Sequence, residues 1–186
     1  VRQVLTPALR PAEQEPFLEL GFEVRERLHL LRHPLDRIPE APDVSIRRGW
    51  RFDHRAALEV DRLAFSDFWR FDDAALVEAR VATPTTRFRV VGRRRLTGFA
   101  VTGMAGPLAY LQRLAVHPDR HRRGIGTALV VDSLRWAARH HCDAVLVNTQ
   151  EHNDVALALY QNLGFRPEAQ GLAVLGRRLD ATGTFA

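Results

Sequence analysis

Two glycines, one residue apart, stand in a basic turn between a strand-like segment and a helix-like segment. The turn reads Arg122, Arg123, Gly124, Ile125, Gly126 and Thr127. A main chain can approach a phosphate closely only where no Cβ intervenes, and the first amides of a helix have no intrahelical partner. This pattern predicts an anion site built from backbone N–H groups, with arginine charge beside it. The alternative is an ordinary strand-to-helix turn in a basic protein.

The elements on either side of the turn would hold it in place. Upstream, an extended apolar segment ends at Val116, because Pro118 cannot donate to a strand ladder. Downstream, apolar residues recur at helical spacing from Leu129, which predicts an amphipathic helix over about 124–140. The turn lacks the Gly-Lys-Ser/Thr ending of triphosphate loops and the third glycine of the dinucleotide fingerprint, so it matches neither motif.

A second segment whose residues could take part in chemistry follows the apolar strand predicted at 144–149. Asn153 is a favourable helix N-cap residue, and Ala156, Tyr160 and Leu163 lie on one face of the helix that it would begin. A buried tyrosine hydroxyl usually has a hydrogen-bond partner, so Tyr160 is either a core residue with such a partner or a proton donor in a site.

The two segments, in the order in which they follow along the chain, resemble two motifs of the GCN5-related N-acetyltransferase (GNAT) superfamily. The first resembles its acetyl-CoA-binding motif, with His121 at a position where the family usually has Gln or Arg. The second, Asn-x-x-Ala-x-x-x-Tyr-x-x-Leu-Gly-Phe, resembles the pattern that closes the active site. The resemblance covers roughly residues 44–179 and implies an α/β (α+β) GNAT fold, a mixed, mostly antiparallel central sheet flanked by helices. It also implies an N-acetyltransferase that uses acetyl-CoA as a co-substrate.

The resemblance assigns roles to individual residues. Those implied to bind the cofactor are Leu114, Ala115, Val116, Arg122, Arg123, Gly124, Ile125, Gly126, Thr127, Asn148, Asn153 and Tyr160. Two strands are implied to splay apart so that the cofactor arm pairs with the first of them, and the N–H of Leu114 polarises the thioester carbonyl. Tyr160 is implied to protonate the departing thiolate after direct attack by the amine in a ternary complex.

The acceptor side of the site is implied to include an aromatic stretch between two predicted helices, 53–65 and 72–82. Phe68, Trp69 and Phe71 belong to it, and Gln112 is a further implied contact of the acceptor. Packing of these rings against the helix ends is an equal alternative. The acceptor itself stays open between a small-molecule amine and a protein or peptide amine.

The general base is not identified. The ribosomal-protein alanine N-acetyltransferases carry a glutamate where this chain has Asn148, and an amide cannot take up a proton. The carboxylates available elsewhere are Glu59, Asp61, Asp67 and Glu151. A function of a different class, an acyl-CoA-binding regulatory or interaction module with little transferase activity, is the alternative.

Composition limits the partners. The 186 residues carry a net charge of +5, and every one of the 27 basic residues is arginine. Because the arginines are scattered, we favour a polyanionic cofactor or a coding bias over nucleic-acid binding. One cysteine, no apolar run of 18 residues and no ligand-like histidine spacing predict a cytoplasmic protein without membrane or metal partners. A homodimer is an open alternative.

The N-terminal stretch parallels the second motif. Phe17-x-x-Leu20-Gly21-Phe22 matches Tyr160-x-x-Leu163-Gly164-Phe165, and the strand-like segments on both sides align at nearly the same offset. We predict a degenerate half-repeat with a linker at 1–43, the acetyltransferase domain at 44–180 and a tail at 181–186. Chance similarity of two short segments is the alternative.

Overall fold

The computed structural model of the chain describes residues 3–93 and 95–179. The strands are β1 (Gln3–Leu9), β2 (Glu23–His33), β3 (Ile46–Arg48), β4 (Thr85–Val91), β5 (Gly98–Ala105), β6 (Leu108–Val116), β7 (Ala144–Gln150), β8 (Arg166–Pro167) and β9 (Leu172–Arg178). The helices are α1 (Pro11–Glu19), α2 (His54–Ala64), α3 (Asp73–Val81), α4 (Ile125–Arg139) and α5 (Asp154–Asn162). The predicted tail at 181–186 and Arg94 of the arginine run lie outside the described residues.

The strands form one mixed sheet in the order β1-β9-β2-β7-β6-β5-β4-β3, with β8 paired to β2. Within the described residues, β6 and β7 form the one parallel pair, and α4 connects them. A parallel connection needs a crossover of this length, whereas the antiparallel neighbours β4, β5 and β6 are joined by turns. The predicted fold class, a mostly antiparallel sheet flanked by helices, is confirmed.

Helices cover both faces of this sheet. On one face, α4 and α5 pack on a core that includes Leu129, Val130 and Leu134, all without exposed surface. On the other face, α2 and α3 cover a core around Phe88 and Phe99. Burial of each large apolar side chain contributes about 1.5–3 kcal/mol, so these two layers supply most of the stabilisation that holds the sheet. No helix in the described ranges is long and apolar enough to cross a membrane.

A bulge in β6 sets which side chains face each layer. Arg113 pairs with Val101 and Leu111 pairs with Thr102, so Gln112 is the extra residue. Before the bulge, Leu111 belongs to the core under α4 and α5; after it, Leu114 packs on that core and Ala115 on the opposite one. The bulge therefore turns Arg113 toward α2.

The N-terminal stretch lies within the sheet. β2 pairs with β7 on one side and with β9 on the other, and β1 pairs with β9. In the β2–β9 ladder, Leu28 is opposite Leu172, the residue that matches it in the proposed repeat. Ile38 and Ala41 of the predicted linker pack against the core under α4. The half-repeat and the domain boundaries stay predictions, and the β8 strand was not foreseen.

Candidate functional site

The parallel strands β6 and β7 diverge partway along their length. Their ladder runs from Leu108 opposite Ala144 to Tyr110 opposite Leu146, and no described pairing follows it. The backbone groups on that side of the remaining β6 residues therefore have no neighbouring strand to pair with. A cavity of about 940 Å³ opens between the strand ends and reaches the start of α4.

The basic glycine turn forms one end of this cavity. Arg122 and Gly124 both have left-handed backbone conformations, with φ of +61° and +73°. Gly124 is the N-cap of α4 and offers no capping side chain, so the first amides of this 15-residue helix are free to bind an anion. A Cβ on Gly124 would lie 3.0 Å from Pro42, and one on Gly126 would lie 3.3 Å from Leu159. The turn therefore fits a diphosphate held mainly by main chain.

His121 closes this turn from the upstream side. Its Nε2 lies 3.1 Å from the carbonyl oxygen of Val116, at the end of β6. The ring nitrogen must therefore carry the proton and donate it to that oxygen. This contact bridges the Pro118–Arg120 turn and joins the end of the strand to the glycine turn.

Helix α5 forms the opposite wall and carries the tyrosine. The Asn153 side-chain oxygen accepts a hydrogen bond from the N–H of Ala156 (3.1 Å), and its amide donates to Gln150 (3.2 Å). Asn153 is thus the N-cap of α5, the structural role that its residue type and position favour.

Tyr160 is buried, yet its hydroxyl has a free side. The ring packs on Phe165 at 5.4 Å between centroids. The hydroxyl makes no hydrogen bond within the described residues. It also keeps some accessible surface, because it is not one of the fully buried atoms without a partner. Burial raises the pKa of the Tyr160 hydroxyl well above its ordinary value, and the charge of Arg113 offsets part of that shift. The hydroxyl therefore keeps its proton at neutral pH and can donate it into the cavity.

The aromatic stretch between α2 and α3 folds around Arg113. The Asp61 carboxylate accepts from Arg113 Nε (2.6 Å) and Nη2 (2.8 Å), and the Trp69 carbonyl oxygen accepts from Nη2 (2.6 Å). The rings of Phe65 and Phe71 lie 3.5 and 3.9 Å from the centre of the guanidinium group. Asp61 also accepts from the N–H of Phe71 at 2.8 Å, so one buried ion pair shapes the whole stretch.

Sequence reasoning did not single out this ion pair, although the chain carries a signal for it. Asp61 lies on the apolar face of α2 with Ala57 and Val60, and Arg113 stands in an alternating strand between two buried residues. A charged residue at an interior position of an apolar pattern needs a buried partner. Two such positions of opposite sign are therefore candidates for a buried pair on the strength of the apolar pattern alone.

The four carboxylates considered as general bases lie elsewhere. Asp61 has no exposed surface and is held by Arg113. Glu59 and Asp67 form exposed ion pairs with Arg55 and Arg70. These three and Glu151 are absent from the described lining of the cavity. The base therefore stays unassigned.

Most of the residues predicted for the site do line the cavity. They are Trp69, Phe71, Gln112, Leu114, Ala115, Val116, Arg122, Gly124, Ile125, Gly126, Thr127, Asn148, Asn153 and Tyr160. Arg123 and Phe68 are not part of that lining; Phe68 is 39% exposed and touches Trp69 edge to face. Phe71 reaches the cavity but stacks on Arg113, which is the packing alternative. The roles of these residues in binding and catalysis stay predictions.

Comparison with known proteins finds relatives of this chain that are named as acetyltransferases. A mycothiol acetyltransferase from Tsukamurella paurometabola is 30% identical over 193 residues, covering 91% of this chain and 64% of that protein. Human N-alpha-acetyltransferase 30 is 43% identical over 56 residues, 30% of this chain and 16% of the human protein. The chain spans less than two thirds of either relative.

A solved structure supports the same fold. The PaiA N-acetyltransferase from Thermoplasma acidophilum, in complex with coenzyme A, superimposes with a TM-score of 0.59 at 16% identity, covering 73% of this chain and 98% of that one. The sequence model of the acetyltransferase (GNAT) family matches residues 52–165, which include both walls of the cavity. With that match over more than half of its residues, the chain belongs to the acetyltransferase (GNAT) family.

Proposed function

We propose that this chain catalyses acetyl transfer from acetyl-CoA to a primary amine by direct attack within a ternary complex. The observation that carries the proposal is the gap between β6 and β7, which joins a main-chain anion site at α4 to the free hydroxyl of Tyr160. Membership of the GNAT family supports both the enzyme class and acetyl-CoA as the co-substrate. Relatives named for a small-molecule product and for protein N-termini keep both acceptor classes open.

The cofactor side would act through backbone groups. The amides at the start of α4, with Arg122 beside them, would hold the diphosphate, and acetyl-CoA would supply the activated acetyl group. The end of β6 would pair with the linear arm of the cofactor as an added strand would. In this arrangement the N–H of Leu114 donates to the thioester carbonyl, and a single donor of this type is worth about 3 kcal/mol to the transition state.

Tyr160 would donate the proton that the departing thiolate needs. Replacing it with phenylalanine keeps the ring against Phe165 and removes only the hydroxyl. We expect Tyr160→Phe to lower kcat by about a hundredfold and to leave the affinity for acetyl-CoA within about twofold. Steady-state CoA release and calorimetric titration with acetyl-CoA measure the two quantities. Tyr110→Phe, at the other tyrosine of the chain, is the matched control.

The alternative, an acyl-CoA-binding module with little transferase activity, shares the cofactor side and differs in turnover. A CoA-release assay across alkylamines, amino acid amides, polyamines and N-terminal peptides separates the two. CoA release with any of these acceptors, at a rate that falls in the Tyr160→Phe variant, supports the transferase function. Tight acetyl-CoA binding without release from the whole panel would favour the binding module.

A further inference from the structure

The Arg113 guanidinium has one nitrogen that the protein does not use. Nε and Nη2 donate to Asp61 and to the Trp69 carbonyl oxygen. Nη1 makes no hydrogen bond within residues 3–93 and 95–179, and it is not among the fully buried unpaired atoms. A guanidinium carries two N–H groups on that nitrogen, so two donors remain available.

The packing around Arg113 decides where those donors can go. Phe65 covers one face of the guanidinium at 3.5 Å and Phe71 covers the other at 3.9 Å. Asp61 covers the edge formed by Nε and Nη2, and 8% of the surface of Arg113 remains exposed. Nη1 is therefore the uncovered part of the guanidinium, and Arg113 belongs to the cavity lining.

Trp69 brings a second unused donor to the same wall. Its indole nitrogen is buried and has no hydrogen-bond partner among the described residues, and the side chain also lines the cavity. A buried donor without a partner costs free energy that a ligand oxygen would recover. Together with the accessible Nη1 of Arg113, this buried N–H gives the wall two unused donors, which indicates that the wall recognises hydrogen-bond acceptors.

The charge balance narrows the kind of acceptor. Asp61 already neutralises Arg113, so the wall offers oriented N–H groups and little net charge. A carbonyl oxygen, which is neutral, fits such a wall without an uncompensated charge.

We propose that Arg113 Nη1 and the indole N–H of Trp69 bind a carbonyl oxygen of the acceptor substrate. The substrate class is then an α-amino acyl compound, with the carbonyl next to the carbon that bears the amine. Alkylamines and polyamines lack this group. This inference rests on the proposed transferase function, and it makes Arg113 and Trp69 determinants of specificity.

The test compares alaninamide with 3-methylbutan-2-amine, its hydrocarbon analogue of similar shape. Values of kcat/KM are expressed per concentration of neutral amine, which removes the difference in the protonated fraction of the two amines. We expect the wild type to favour alaninamide by about tenfold to a hundredfold, because hydrogen bonds to a charged group are among the stronger ones. Release of CoA from both amines at equal efficiency would overturn this inference while leaving the transferase function standing. Release from another acceptor of the panel above but from neither of these amines would also overturn this inference, whereas no release from the whole panel would contradict it together with the transferase function.

Two variants show whether the preference comes from these donors. Trp69→Phe removes the indole N–H and leaves the ion pair, so the preference should fall several-fold. Trp136→Phe, at a buried tryptophan of α4 that is not part of the described cavity lining, should leave it unchanged. The double variant Asp61→Leu/Arg113→Met removes the pair without leaving one charge buried, and the preference should then approach one. If these residues had a purely structural role, kcat/KM would fall equally for both amines and the preference would stay unchanged. That result would refute the assignment.

Discussion

The two walls of the cavity that we propose for the cofactor and for the acceptor, called the cofactor wall and the acceptor wall, are built in different ways. The cofactor wall uses consecutive residues, from Leu114 at the end of β6 to Thr127 in the first turn of α4, and relies on backbone groups. The acceptor wall gathers side chains from α2, the stretch that follows it and β6, and one ion pair holds them together. A local main-chain site tolerates change in its side chains, whereas an assembled wall depends on single contacts.

The buried ion pair concentrates the stability of the acceptor wall in two residues. Asp61 has no exposed surface and accepts hydrogen bonds from three nitrogen atoms, two of Arg113 and the amide of Phe71. Desolvation by burial lowers the pKa of Arg113, and the bond to Asp61 opposes that shift. The guanidinium is therefore charged only at a desolvation cost that its partner must offset.

The largest effect should come from breaking this pair on one side. Asp61→Ala leaves the Arg113 charge buried and unpaired, and we expect it to lower the free energy of unfolding by about 3–5 kcal/mol. Urea denaturation measures the change. Glu59→Ala on the same helix is the control: its ion pair with Arg55 is exposed, so its effect should stay below about 0.5 kcal/mol. Similar losses in the two variants would contradict the view that the acceptor wall depends on one pair.

A smaller effect should follow from disturbing the cofactor wall. Gly124→Ala places a Cβ at a left-handed position and 3.0 Å from Pro42, so the turn must shift and its amides lose alignment. We expect the affinity for coenzyme A to fall by about tenfold, or about 1.4 kcal/mol, in a calorimetric titration. Binding of coenzyme A at wild-type strength by Gly124→Ala would show that the anion site lies elsewhere.

Gly106→Ala separates backbone strain from the loss of the site. Gly106 also has positive φ, +56°, in the turn between β5 and β6, where a Cβ would meet nothing within 4 Å. The substitution should lower stability through the same kind of strain and leave coenzyme A binding unchanged. Equal losses of affinity in the two glycine variants would assign the effect to stability rather than to the turn.

The contrast between the walls also explains what the sequence could predict. The glycine turn, α4 and the Asn153 cap depend on neighbours in sequence, so spacing and residue type were enough to place them. The helices predicted at 53–65 and 72–82 appear as α2 and α3, with the Asp72 side chain accepting from Ala75 as the N-cap. The family resemblance added the gap between β6 and β7.

Contacts between distant segments were beyond the same reasoning. Asp61 and Arg113 are 52 residues apart; the apolar pattern marks each as a buried charge, but it does not say that the two are partners. The position of β2 between β7 and β9 is equally hidden, because alternation predicts a strand without naming its neighbours. The structure thus places a strand of the N-terminal stretch next to β7, where the predicted half-repeat alone gave no partner.

The smallest predicted effect concerns the support that β2 gives to Tyr160, which stands between the two walls. His33 of β2 is buried against Phe165, the ring that packs on Tyr160, and its Nδ1 accepts from the N–H of Leu35 at 3.0 Å. Burial lowers the pKa of His33 below its ordinary value near 6.5, so the unfolded chain takes up this proton more readily than the folded one. The contribution of His33 to stability is therefore complete above about pH 6.5 and decreases as the pH falls toward its folded pKa.

Urea denaturation at pH 8, 7, 6 and 5.5 measures this loss of stability, and His33→Asn should make the loss smaller than in the wild type. The pKa of His54 is also lowered, but its contribution is the same in both proteins and cancels in the comparison. Identical pH slopes in the two proteins would show that the protonation of His33 is not linked to folding.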